Sequence, residues 1–110
     1  MRNDITYVRH ILDCIDNIRN FVKGRTYSDF QSDLMLQSAV LHQFMILGEA
    51  AGQVSKKFRD EHHSIHWRTM IGMRNKLIHH YFGVDLDEVW KTVRDDLSEL
   101  EMLFEKEGLK

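Results

Sequence analysis

The chain has 110 residues, 15 basic and 17 acidic, a net charge of -2 and a single cysteine, Cys14. That length fits one domain over residues 1–110, the near-neutral charge gives no general claim on nucleic acid or membrane, and one cysteine excludes an internal disulfide framework or a multi-cysteine zinc site. Proline is absent and only six glycines occur, where average usage would supply about five or six prolines, so turns are few, helices long and sheet-rich folds excluded.

The first apolar-periodic segment runs from about Asp4 to Val22, with Ile5, Val8, Ile11, Ile15, Ile18 and Val22 at helical three- and four-residue steps. Lys23-Gly24-Arg25 reads as its stop, and a short turn follows in which Thr26 or Ser28 can cap and Phe30 can anchor. The second segment, about Ser32 to Phe58, is the longest. Val40, Phe44, Leu47, Ala51, Val54 and Phe58 form one stripe, and Leu34, Leu41, Met45, Gly48 and Gly52 form a second about 100° around the same helix. A helix apolar over so wide an arc buries two faces, which predicts one face in the core and one against a second subunit. Gly48 and Gly52 would let another backbone approach closely.

A polar stretch, Arg59 to His66, leads to a third segment from Trp67 through Tyr81. Asp85, with Glu88 three residues on, reads as the N-cap of a fourth helix carrying Leu86, Val89, Val93, Leu97, Leu100 and Phe104. Arg94, Asp95, Asp96, Glu99 and Glu101 would form its solvated face. The expected architecture is all-α: an antiparallel four-helix up-and-down bundle that dimerises through helix faces. No run is long and apolar enough for a membrane span, and Arg2, Asp4, Arg9 and His10 leave no apolar signal-peptide core, so the reading is a soluble, cytoplasmic domain.

The third segment departs from the pattern. Trp67, Met70, Leu77 and Tyr81 lie on one line, and residue 74, which completes it, is arginine. An arginine in an apolar stripe needs a partner. The structural reading is a packed stem and an ion pair with Glu49 or Asp33. The functional reading starts from its neighbours. Asn75 and His79 share a helix face, whereas Arg74 and His79 lie about 140° apart on a regular helix. Bringing Arg74 and His79 together therefore requires a loosened helix end or the facing pair of a symmetric dimer. Imidazole moves protons near neutral pH, and guanidinium grips phosphate oxygens in a fork. Gathered together, Arg74, Asn75 and His79 suit metal-free phosphodiester cleavage, in which RNA supplies the 2′-hydroxyl as nucleophile.

Arg74-Asn-Lys-Leu-Ile-His79-His-Tyr81 fits R-x4-H-x-Y, and the chain thereby resembles the HepT-like toxins of the HEPN superfamily. Ile46-Leu-Gly-Glu-Ala-Ala51 resembles the family's G-E-A element, and the match covers nearly the whole chain in order. The resemblance implies a dimeric all-α bundle and a metal-independent endoribonuclease, with Arg74 binding phosphate and His79 as general acid/base. Asn75 would orient substrate or His79; His80, directly after His79, departs from the pattern and would orient substrate or, if the helix end is irregular, be the catalytic imidazole. It further implies a type VII-like toxin whose antitoxin is a minimal nucleotidyltransferase that silences it by AMP transfer to Tyr81. No cofactor and no metal ligand follow from it.

Other readings weigh against this one. His62 and His66 have two-ligand helical spacing, but no carboxylate motif accompanies them. Lys56, Lys57, Arg59 and Arg68 could form a basic rim for RNA or an ordinary mixed-charge surface. Trp67 and Trp90 read as core anchors and Cys14 as a buried, inert thiol. Two non-enzymatic alternatives stand beside the nuclease: a nucleotide- or substrate-binding subunit of a nucleotidyltransferase complex, and a plain helical dimerisation protein.

Overall fold

The computed structural model describes residues 3–79 and 83–110. Helix α1 (Asp4–Val22) is capped by the Asn3 side chain, which accepts from the Ile5 amide, and ends before Gly24, whose φ of 72° is open to glycine without strain. A short α2 (Tyr27–Ser32) forms where a turn was expected. Thr26 and Asp29 close a reciprocal capping box that stabilises it, and Phe30, fully buried, pins it to the core. The hydrogen bonds from Thr26 hold the Asp29 carboxyl below its ordinary range. After one residue, Asp33 caps α3 (Leu34–Gln53) by accepting from the Leu36 amide at 3.0 Å.

The second segment is shorter than its periodicity suggests. The apolar stripe continues through Val54 and Phe58, yet α3 stops at Gln53 and a separate α4 (Lys56–Glu61) begins. The break comes from the other end of the fold: the Asp4 carboxylate accepts the Ser55 amide at 2.8 Å and the Ser55 hydroxyl at 2.7 Å. Ser55 then accepts from the Phe58 amide and restarts the helix. The same contact sets the start of α1 beside the end of α3, so the two run antiparallel.

Helix α5 (Trp67–His79) packs against α3, as α1 does. The apolar arc of α3 is met in part within the chain, by α1 and α5, while Leu34 and Met35 at its start remain 75% and 82% exposed. The C-terminal rod comprises α6 (Leu86–Lys91), a π-helical turn (Thr92–Asp96) and α7 (Leu97–Lys106). Asp85 caps it as predicted, accepting from the Asp87 and Glu88 amides. The Glu88 side chain does not return to the cap but reaches Lys76 on α5 at 2.6 Å.

The core joins Val8, Ile11, Ile15 and Ile18 of α1 to Val40, Phe44, Leu47 and Ala51 of α3. Trp67, Met70 and Leu77 of α5 complete it with Val89, Val93, Leu97 and Phe104 of the rod. The rod is clasped near each end by aromatic rings. Trp90 stacks on Phe30 with centroids 5.2 Å apart, and Phe104 meets Trp67 edge-on at 5.7 Å. Between those clasps α5 and the rod stand apart and leave a cleft. Glu101, expected on the solvated face, is instead shielded, its side chain 13% exposed between Arg19 of α1 and Lys110. Cys14 is buried, and burial pushes its thiol up to about 11, which leaves it protonated and unreactive at neutral pH. Among the described residues, no helix is long and apolar enough to cross a membrane.

Candidate functional site

The close crossing of α3 and α5 is built on Gly48. A Cβ added there would lie 2.2 Å from the Arg74 Cβ and 2.7 Å from the Met70 carbonyl oxygen, far inside van der Waals contact. The missing side chain gives the Arg74 stem its seat. That seat is how an arginine occupies a position in the apolar stripe of α5: its methylenes pack and its head emerges at the edge between the two helices.

The head has two partners. One terminal nitrogen donates to the Asn75 side-chain oxygen at 3.0 Å, and the other pairs with the Glu49 carboxylate at 2.8 Å. Of the two carboxylates expected as candidates, Glu49 is the one that pairs. Asp33 is taken by the α3 cap and by Arg25. The Arg74 side chain is 34% exposed and that of Glu49 55%, so the pair sits at the surface and an incoming anion can reach it.

His79 occupies the last turn of α5, exposed and without a hydrogen bond among the described residues. The helix is regular from Trp67 to His79, so it does not loosen between Arg74 and His79. The angle of about 140° between them persists, and one copy of the chain does not aim both side chains at one point. Asn75 is the link: it touches Arg74 and shares the His79 face at four-residue spacing. His80 and Tyr81 lie outside the described residues.

Asn75 and His79 also stand on the lip of the cleft between α5 and the rod, a cavity of about 710 Å3. Its floor is apolar, with Met70, Met73, Leu77, Val89 and Leu97. The α5 wall carries His66, Thr69 and Lys76, and the rod wall carries Glu88, Thr92, Asp96 and Glu99. Arg74 is not among the residues lining it. The Lys76–Glu88 ion pair crosses from wall to wall. Periodicity did not single out this cleft. Asp96 and Glu99 read as solvated, and no sequence signal distinguishes a charged side chain facing a groove from one facing open water.

The remaining histidines do not converge. His62 packs its ring on Phe58 at 4.4 Å and bonds Glu107 at 2.6 Å, while His66 faces the cleft. The His62 and Ser64 hydrogen bonds hold the Glu107 carboxyl below its ordinary range. Among the described residues, no three His, Cys, Asp or Glu side chains group closely enough to hold a metal ion. The basic rim is interrupted by acid: Lys56 pairs with Asp60 on the same helix, and Asp60 and Glu61 interleave with Lys57 and Arg59.

The family model described as Ribonuclease HepT-like matches residues 11–107. A protein named probable ribonuclease HepT in Thermococcus cleftensis is 40% identical over 105 residues, covering 96% of this chain and 96% of the relative. A protein named as a candidate RNase in Caldanaerobacter subterraneus subsp. tengcongensis is 38% identical over 101 residues, 92% of this chain and 90% of the relative. Another so named in Methanocaldococcus jannaschii is 36% identical over 100 residues, 91% and 83% of the two chains. No solved structure matches the chain.

Proposed function

The chain belongs to the HepT-like ribonuclease family, and from that premise we propose that it is a metal-independent endoribonuclease working as a homodimer. The observation that supports this most is the state of Arg74. A guanidinium seated by Gly48 and Asn75, its charge met among the described residues by one exposed carboxylate, is a ready site for a phosphodiester. Phosphate displaces Glu49 from one edge of the fork, and the fork stabilises the charge that builds on the phosphoryl oxygens.

His79 is the general base. It takes the proton from the 2′-hydroxyl, the 2′-oxygen bonds to phosphorus and the P–O5′ bond breaks. The imidazolium so formed returns the proton, through water, to the leaving 5′-oxygen. Asn75 holds the guanidinium and orients substrate, with His80 beside it. Because α5 keeps Arg74 and His79 on different faces, a symmetric pair of chains supplies the two groups to one phosphate, one from each copy. We further propose the toxin role: a minimal nucleotidyltransferase antitoxin adds AMP to Tyr81, and the bulky anion blocks and neutralises the phosphate site.

The test is cleavage of bulk RNA in excess EDTA by unmodified protein, its intact mass checked first, beside His79→Ala. Cleavage by the wild type and a loss of roughly a hundredfold or more in the variant are expected. Equal cleavage by both would move the role to His80 or to a contaminant. No cleavage by unmodified wild type would overturn the enzyme and favour a binding subunit of a nucleotidyltransferase complex.

A further inference from the structure

The cleft beside His79 has a division of chemistry that phosphate binding does not use. Its α5 wall presents His79, Asn75 and a Lys76 already paired with Glu88, whereas its far side presents the carboxylates of Asp85, Asp96 and Glu99. A phosphate is repelled by the second wall, and a carboxylate ligand likewise. A nucleotide suits both walls when its phosphate stays at the lip and its base enters the cleft. The volume of about 710 Å3 falls within the roughly 300–1,000 Å3 of small-molecule sites. The floor is apolar, and Met70 and Met73 line it with side chains whose thioethers suit contact with an aromatic ring.

Asp96 is the residue that gives this cleft a preference. It stands at the position before α7 where an aspartate ordinarily caps a helix, yet its side chain caps nothing. The π-helical turn runs straight into α7, and the Leu97 amide is already bonded to the Thr92 carbonyl. No free amides therefore call on the carboxylate. Asp96 lines the cleft as an exposed residue, and no hydrogen bond or ion pair engages its carboxylate among the described residues.

A carboxylate fork matches two parallel N–H donors. Guanine presents such a pair on one edge, N1–H and the N2 amino group. Adenine and cytosine set a ring acceptor beside their single amino donor, and uracil flanks its one N–H with two carbonyls. We infer that the cleft is a nucleobase subsite that selects guanine, with Asp96 reading its N1–H/N2–H edge and the methionine floor holding its ring. This rests on the ribonuclease reading above and adds to it the class of RNA taken: strands with an unpaired guanine next to the cleaved bond.

Titration of GMP and of UMP into the full chain, followed by amide chemical shifts, tests the site without reference to cleavage. GMP should bind roughly tenfold or more tighter than UMP, and Asp96→Asn should remove that difference while leaving UMP binding and the unfolding midpoint unchanged. Equal binding of the two nucleotides, binding of neither, or an unchanged preference in Asp96→Asn would overturn the assignment. A second arm cleaves short RNAs that differ only in the base flanking one unpaired phosphate. Faster cutting beside guanine, lost in Asp96→Asn, supports it. His79-dependent cutting without base preference overturns the subsite and leaves the ribonuclease standing. GMP-selective, Asp96-dependent binding with no cutting at all supports the base site and overturns the ribonuclease instead.

Discussion

Two arginines in this fold each reach a glutamate on another helix, and they are put to different ends. Arg19 of α1 meets Glu101 of α7, which is 13% exposed and held a second time by Lys110. Arg74 of α5 meets Glu49 of α3, which is 55% exposed and has no second cation among the described residues. The two guanidiniums are about equally accessible, at 37% and 34%. What differs is the carboxylate. A shielded, doubly clamped glutamate commits its arginine to the fold, because removing the arginine leaves a carboxylate shielded from water with one of its two cations gone. An exposed one is worth little to stability and exchanges readily for another anion. Burial of the acid, more than of the arginine, separates a strut from a binding site.

Changing the arginines tests that contrast most strongly. Arg74→Lys keeps the charge and loses the fork, and RNA cleavage should fall by roughly a hundredfold or more with the fold retained. Arg19→Lys should leave cleavage unchanged. A matched loss in both, measured as kcat/KM on one RNA, would erase the distinction. Gly48→Ala comes next. An alanine in a helix normally gains up to about 1 kcal/mol over glycine. Here its methyl meets a Cβ and a backbone oxygen rather than the end of a flexible chain. The clash should win, with a net loss of about 1–3 kcal/mol in urea unfolding and a matching fall in cleavage.

Glu101→Gln should cost about 1–2 kcal/mol at neutral pH. Hydrogen bonds from Lys110 and then from Arg19 hold this carboxyl below its ordinary range. Its stabilising contribution is therefore full above that range and fades as the acid takes up its proton. The wild-type urea midpoint should drop more steeply than that of Glu101→Gln between about pH 6 and about pH 3. Glu49→Gln is the mildest change, expected at under about 1 kcal/mol in stability. Its signature is a lower KM for RNA, since the competing carboxylate is gone. A rise in KM would make Glu49 a positioning residue for the guanidinium instead.

Much of this contrast was open to the sequence, and the part that was not is spatial. Local signals read correctly: the apolar steps of α1, the Lys23-Gly24-Arg25 stop, the Asp85 cap and the start of α5 at Trp67 all rest on neighbours in the chain. Arg74 stood out because it interrupts a stripe, and Glu49 was one of two partners considered. Periodicity says that a face is buried but not against what, which is why Arg74 could not be read as the neighbour that Gly48 seats. The break at Ser55 depends on Asp4, and the shielding of Glu101 on Arg19 and Lys110. None of these leaves a mark in the local pattern. Asp96 read as a solvated charge and is exposed, but its place on the cleft comes only from the fold.

The aromatic clasps on the C-terminal rod have an optical consequence. The chain contains two tryptophans, and each belongs to one clasp: Trp90 at the α6 end against Phe30, and Trp67 at the α7 end against Phe104. The indole of Trp67 also donates to the His62 carbonyl at 3.1 Å, while Trp90 is half-buried beside Tyr27. The two ends of the rod therefore carry separate emitters in different surroundings. With either one replaced by phenylalanine, the emission of the other reports a single end, so whether the rod lifts as one body or peels from one side can be read as light.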